Sequence, residues 1–131
     1  GGSLEEARVE KQKGNALFKQ NSWDAALAQY TKALDVLPHN DTEEVHLILG
    51  NRALVLLKLR RLAEAEADCT RAIEVNATYH KAWHRRGLIR FEDGRLEEAL
   101  QDFIAASAIE PSQDLDRQIQ KSLASLGDKD S

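Results

Sequence analysis

The sequence predicts an all-α solenoid: three helical hairpins stacked in a row and closed by a seventh helix. Three observations carry this. Ala, Leu, Glu, Lys, Arg and Gln dominate and only two prolines interrupt them, a composition that favours helix. Segments 7–40, 46–79 and 80–113 align as three units of about 34 residues, offset first by 39 and then by 34 positions, the period of a stacked-repeat architecture. Within the units, side chains of one size recur in one place: Ala26, Ala65 and Ala99; Ala33, Ala72 and Ala106; Pro38, Ala77 and Pro111; Tyr30, Cys69 and Phe103; Gly14, Ala53 and Gly87.

Each element follows in order. Gly1-Gly2-Ser3 reads as a cloning scar outside the domain, which spans 4–126. Leu4, Ala7, Leu17 and Phe18 share a first helix that ends near Gln20. Asn21 or Ser22 caps a second, with Trp23, Ala26, Leu27, Tyr30, Ala33 and Leu34 at helical spacing. Pro38 stops it. His39-Asn40-Asp41-Thr42 carries about five extra residues, and Thr42 is expected to cap a third helix whose first turn holds Glu43 and Glu44. That helix runs to Leu59, and its partner spans Leu62 to Val75. Thr78 is expected to cap a fifth helix, Tyr79 to Phe91, ended by Asp93-Gly94. Leu96 to Ile109 is the sixth, stopped by Pro111. A capping helix over 114–126 places Leu115, Ile119, Leu123 and Leu126 on one stripe, followed by a flexible tail, 127–131. The small residues permit close packing. Ala26, Ala65 and Ala99 are expected to lie against Gly14, Ala53 and Gly87, while Trp23, Tyr30, Leu56 and Phe103 fill the space between repeats. No hairpin buries its apolar face alone, so the three stack and the seventh helix covers the last.

Composition excludes several functions. No apolar run is long enough to span a bilayer. One cysteine, Cys69, cannot form an intrachain disulfide and fits a reducing, cytoplasmic compartment. A net charge of −4 argues against nucleic acid as partner. His80 and His84 have a spacing that can bind metal, yet no third ligand completes a site, so no metal or other cofactor is expected. No phosphate loop or nucleophile–base pair points to an enzyme.

These spacings, small positions and closing prolines resemble tetratricopeptide repeats, and the resemblance covers about residues 7 to 126. Of the position where the family often has Trp, here Glu10, Leu49 and Trp83, only the third unit keeps it, and Ala77 replaces proline in the second. The resemblance implies a right-handed superhelix whose first, third and fifth helices line a concave groove. KQKGN, GNRA and HKAWHRR are similar to segments of the dicarboxylate-clamp subfamily, which binds the C-terminal Glu-Glu-Val-Asp peptide of the 70- and 90-kilodalton heat-shock chaperones. It implies a clamp of Lys11, Asn15, Asn51, Lys81 and Arg85, and a monomeric co-chaperone or adaptor domain of a larger protein.

The chemistry is consistent with that carry-over. A C-terminal aspartate presents two carboxylates, which two lysines, an arginine and two amides can grip from different helices. Each hydrogen bond to a charged group contributes about 1.5–3 kcal/mol, enough together for roughly micromolar binding after ordering costs. Phe18, Leu54, Leu88 and Phe91 could take apolar side chains upstream, although Leu54 reads equally as core. Lys19 and Lys58 could meet upstream glutamates or be merely solvated. His84 borders the groove. Arg52 and Arg86 read as structural, Arg86 paired with a surface acid. The long His39–Glu44 connection could tilt the third helix and move Asn51. The competing reading is a repeat scaffold for a different, non-chaperone partner. Neither 70- nor 90-kilodalton preference is legible.

Overall fold

The structure is a computed structural model that describes residues 3–39 and 41–130. Gly1 and Gly2 of the leading tripeptide, Asn40 of the connecting loop and Ser131 of the tail lie outside the described residues. The helices among them are α1 (Leu4–Lys19), α2 (Trp23–Val36), α3 (Thr42–Lys58), α4 (Leu62–Val75), α5 (His80–Glu92), α6 (Leu96–Ile109) and α7 (Gln113–Asp130). α1, α3 and α5 each pack most heavily on the helix that follows, each hairpin packs on the next, and α7 packs on α6. Contacts of α1 with α3 and of α3 with α5 set the first helices of the hairpins side by side along one face. No helix among the described residues is long and apolar enough to cross a membrane.

The caps differ in part from expectation. Asp41, not Thr42, is the N-cap of α3, and its carboxylate accepts from the Glu44 N–H at 2.8 Å. Its short side chain reaches the third N–H of the turn, so the helix begins at Thr42. Tyr79 precedes α5 without a side-chain cap, because the Thr78 N–H and hydroxyl are both taken by Asn76 Oδ1. Ser3 caps α1 by accepting from the Glu6 N–H. α7 continues through Asp130, beyond Leu126; Gly127 lowers helix propensity by about 1 kcal/mol but is no stop by itself.

The three hairpin turns are built alike. Asn21, Arg60 and Gly94 have φ of 61°, 64° and 80°, the left-handed conformation that closes a helix. Their N–H groups bond to the carbonyls of Phe18, Leu57 and Phe91, and the next residues bond back to Leu17, Leu56 and Arg90. Only the third uses glycine, the residue for which this conformation is unstrained.

The small positions also do something the sequence did not show. A Cβ on Gly14 would lie 2.6 Å from the Tyr30 ring, and one on Gly87 2.5 Å from the Phe103 ring. Tyr30 and Phe103 therefore seat their rings on the glycine of their own hairpin, while also packing, as expected, in clusters shared with the following helix, with Ile48 and Val55 of α3 and with Leu115 and Ile119 of α7. In the second hairpin the pair is Ala53 and Cys69, both fully buried. A larger residue on one helix is matched by a smaller one across from it. The reason is close packing: a ring thickness is available only where the facing Cβ is missing.

Between repeats the contacts are partly ionic. Arg52 on α3 donates twice to Asp68 on α4 (2.7 and 2.8 Å) and once to Thr31 on α2 (3.3 Å). One repeat later, Arg86 donates twice to Asp102 (3.0 and 2.9 Å) and once to Thr70 (3.2 Å). Each arginine thus joins its own hairpin to the one before. Position 104, equivalent to Thr31 and Thr70, is an exposed isoleucine. At the far end, Leu115 and Ile119 of α7 close the cluster around Ala99, Phe103 and Ala106.

Candidate functional site

Where α1, α3 and α5 run together, a cavity of about 270 Å³ opens. Asn15, Phe18 and Lys19 come to it from α1, Asn51 and Leu54 from α3, and Arg85 from α5; Gln12 and Tyr30 complete the wall. Six of the residues expected from sequence therefore share one cavity. Asn51 is among them, so the long connection before α3 does not draw it away.

A chain of hydrogen bonds fixes how these groups point. The Tyr30 hydroxyl donates to Asn15 Oδ1 at 2.5 Å, and Asn51 Nδ2 donates to the same oxygen at 3.2 Å. Arg85 Nη1 donates to Asn51 Oδ1 at 3.4 Å. With both carboxamide oxygens committed inside the protein, the remaining amide N–H groups are the ones left for a ligand. The site is thereby set to donate, the polarity a carboxylate requires. Tyr30 keeps its proton: burial pushes its hydroxyl up to about 12, against a smaller opposing pull from Arg85.

Arg85 is half-buried, and no carboxylate among the described residues pairs with it. A partly desolvated cation without an acid is costly unless an anion visits it. Gly50 makes its position possible, since a Cβ there would come within 2.9 Å of the Tyr79 ring and 3.2 Å of Arg85 Nη1. Lys81, one turn before Arg85 on α5, is exposed and likewise has no carboxylate partner among the described residues.

Lys11 stands apart. Its Nζ donates to Glu44 Oε2 at 2.8 Å, and Arg8 Nε donates to Glu44 Oε1 at 3.0 Å. Burial pushes the Glu44 carboxyl upward, but the hydrogen bonds and charges of Lys11 and Arg8 outweigh it and hold the group below the usual range. Neither Lys11 nor Lys81 lines the cavity, so three of the five expected clamp residues, Asn15, Asn51 and Arg85, share it.

The other expected residues divide. Lys58 is exposed along much of its length and lies over the Trp23 ring at 5.8 Å, beside the edge-on Phe18–Trp23 pair. Leu88 and Phe91 do not join the cavity. They line a separate pocket of about 100 Å³ with Phe103 and with Gln118 and Lys121 of α7, because docking of α7 draws that side of α5 into the third core. His84 bonds to Gln118 at 2.5 Å, and burial holds its ring below the usual histidine range. Sequence reasoning missed Tyr30, Gln12 and Glu44. Tyr30 carried a signal, a hydroxyl in a slot otherwise filled by Cys and Phe, but it read as a core filler. Arg52 and Arg86 are structural, as expected, but Arg86 pairs with the buried Asp102 rather than with a surface acid.

Comparison with known proteins shows the family and the fold. The family model described as tetratricopeptide repeat matches residues 11–77 and 51–114. RNA polymerase II-associated protein 3 of Homo sapiens is 40% identical over 108 residues, 82% of this chain and 16% of that protein. The chain thus spans about a sixth of such a relative's length. Among solved structures, the first TPR of Spaghetti (RPAP3) bound to HSP90 peptide SRMEEVD superposes with a TM-score of 0.88 at 34% identity, covering 96% of this chain and 97% of that one. The second TPR domain of human RPAP3, in complex with HSP70 peptide SGPTIEEVD, gives a TM-score of 0.80 at 34% identity, covering 92% and 98%.

Proposed function

Because the chain belongs to the tetratricopeptide repeat family, we propose that its groove binds the free C-terminal Glu-Glu-Val-Asp end of 70- and 90-kilodalton heat-shock chaperones, as a co-chaperone adaptor. The observation that carries this is the half-buried Arg85, with no carboxylate partner among the described residues, wired through Asn51 to Asn15 around one cavity. Arg85 and Lys81 supply charge to the terminal carboxylates. Asn15 and Asn51 supply aimed N–H groups, and Lys11 completes the clamp from α1. Phe18 and Leu54 take the aliphatic side chain that precedes the terminal aspartate. Lys19 and Lys58 face the glutamates, and the pocket of Leu88 and Phe91, with His84 at its edge, takes residues further upstream. The role is recognition rather than catalysis, and a cytoplasmic setting suits the buried thiol of Cys69.

The test is calorimetric titration with SRMEEVD and SGPTIEEVD peptides, each as free acid and as C-terminal amide. Amidation is expected to abolish most binding. Arg85→Ala is expected to cost about 2–5 kcal/mol, since a desolvated charge pair loses one member. Equal affinity for acid and amide would reject the clamp and leave a scaffold for a different partner.

A further inference from the structure

The proposed clamp needs Lys11 as a cation, yet this lysine already holds an acid. Glu44 is 5% exposed, and its carboxylate accepts from Lys11 and Arg8, both on α1. Arg85 and Lys81, both on α5, have no such partner among the described residues. We propose that Glu44 is a built-in stand-in for the ligand carboxylate, occupying Lys11 in the free domain and weakening peptide binding by competing for it. The inference rests on the clamp reading above.

Glu44 can release Lys11 without being stranded. It keeps Arg8, whose side chain is 54% exposed and free to follow it. It sits in the first turn of α3, where the helix dipole favours an anion. Its backbone is pinned through the Asp41 cap, so a carboxylate that breaks its bond to Lys11 still remains within a side chain's reach of it. A bound terminal carboxylate at Lys11 would then share the ammonium with a second anion a few ångströms away, and that repulsion opposes binding. The opposite role is positioning: an ammonium has three N–H groups and could hold Glu44 and the peptide together.

Glu44→Gln separates the two, because the amide retains an acceptor and loses the charge. We measure Kd for SRMEEVD as free acid and amide with wild type and Glu44→Gln, and repeat the set with Lys11→Ala in each background. Competition predicts that Glu44→Gln tightens the free acid about three- to tenfold and leaves the amide unchanged. It also predicts that Lys11→Ala weakens binding by a larger factor in the Glu44→Gln background than in wild type. Weaker binding by Glu44→Gln, or an equal or smaller Lys11→Ala factor, overturns the proposal. If wild type does not distinguish acid from amide, the clamp reading itself has failed, which is a separate result. Should Glu44→Gln not fold by circular dichroism, Arg8→Gln replaces it, with Lys13→Gln as a charge-matched control on the same helix. Arg8→Gln leaves Glu44 wholly on Lys11, so it weakens free-acid binding more than Lys13→Gln does; equal losses overturn the proposal.

Discussion

Tyr30 has two duties: its ring rests on Gly14 and its hydroxyl orients Asn15. Burial holds that hydroxyl at about 12, against 10.0 in its ordinary state, and the Cys69 thiol at about 12, against 9.0. Both groups bind their proton more tightly when folded, so the stability they contribute is complete below the unfolded values and is lost as pH rises through the folded ones. Urea unfolding is expected to show falling stability from about pH 9 upward. Cys69→Ala should delay the onset to about pH 10, and Tyr30→Phe should flatten the loss above it. A profile unchanged by either substitution would contradict the assignment. Lys11, Asn15, Asn51, Lys81 and Arg85 were readable as candidates because the segments around them resemble the dicarboxylate-clamp subfamily, while helical spacing alone gave a longer list of residues on the same side. The Tyr30 hydroxyl was not, because its use depends on a contact between two helices that spacing along either one does not contain. Glu44 was hidden for the same reason, 33 residues from its partner Lys11.

Helices pair here by matched sizes. Gly87→Ala is expected to cost about 1–3 kcal/mol in chemical denaturation, because the new Cβ meets the Phe103 ring rather than a flexible chain end. Adding Phe103→Cys reproduces the Ala53–Cys69 pair of the second hairpin. The double variant should lose less stability than the sum of the two singles, a positive coupling that a strictly additive result would refute. Helix boundaries for α4 and α6 matched expectation to the residue, since a turn on one side and a break on the other bracket each. The α3 start did not, because Asp41 and Thr42 are both competent caps and only the backbone decides between them. The placement of Leu88 and Phe91 differs from expectation for a further reason: docking of α7 sets them in a separate pocket beside the third core rather than in the shared cavity.

A stacked array gains stability from nearest neighbours, so α7 matters most to the third hairpin. Leu115 and Ile119 are its contribution to the last core; the fully buried Leu115 is worth about 1.5–3 kcal/mol and the partly buried Ile119 less, a large share of a small domain's stability. Ending the chain at Glu110 should lower the melting temperature measured by circular dichroism. Amide exchange should rise first in α5 and α6; uniform exchange across all hairpins would show that the array unfolds only as one unit. The array itself was legible because a period repeated three times leaves little freedom for other topologies. Threonine, threonine and then isoleucine occupy 31, 70 and 104, and the first two accept an arginine from the hairpin behind them. Anyone lengthening this scaffold by grafting on another unit would find no hydroxyl waiting there, and Ile104→Thr is the change that would let the splice take.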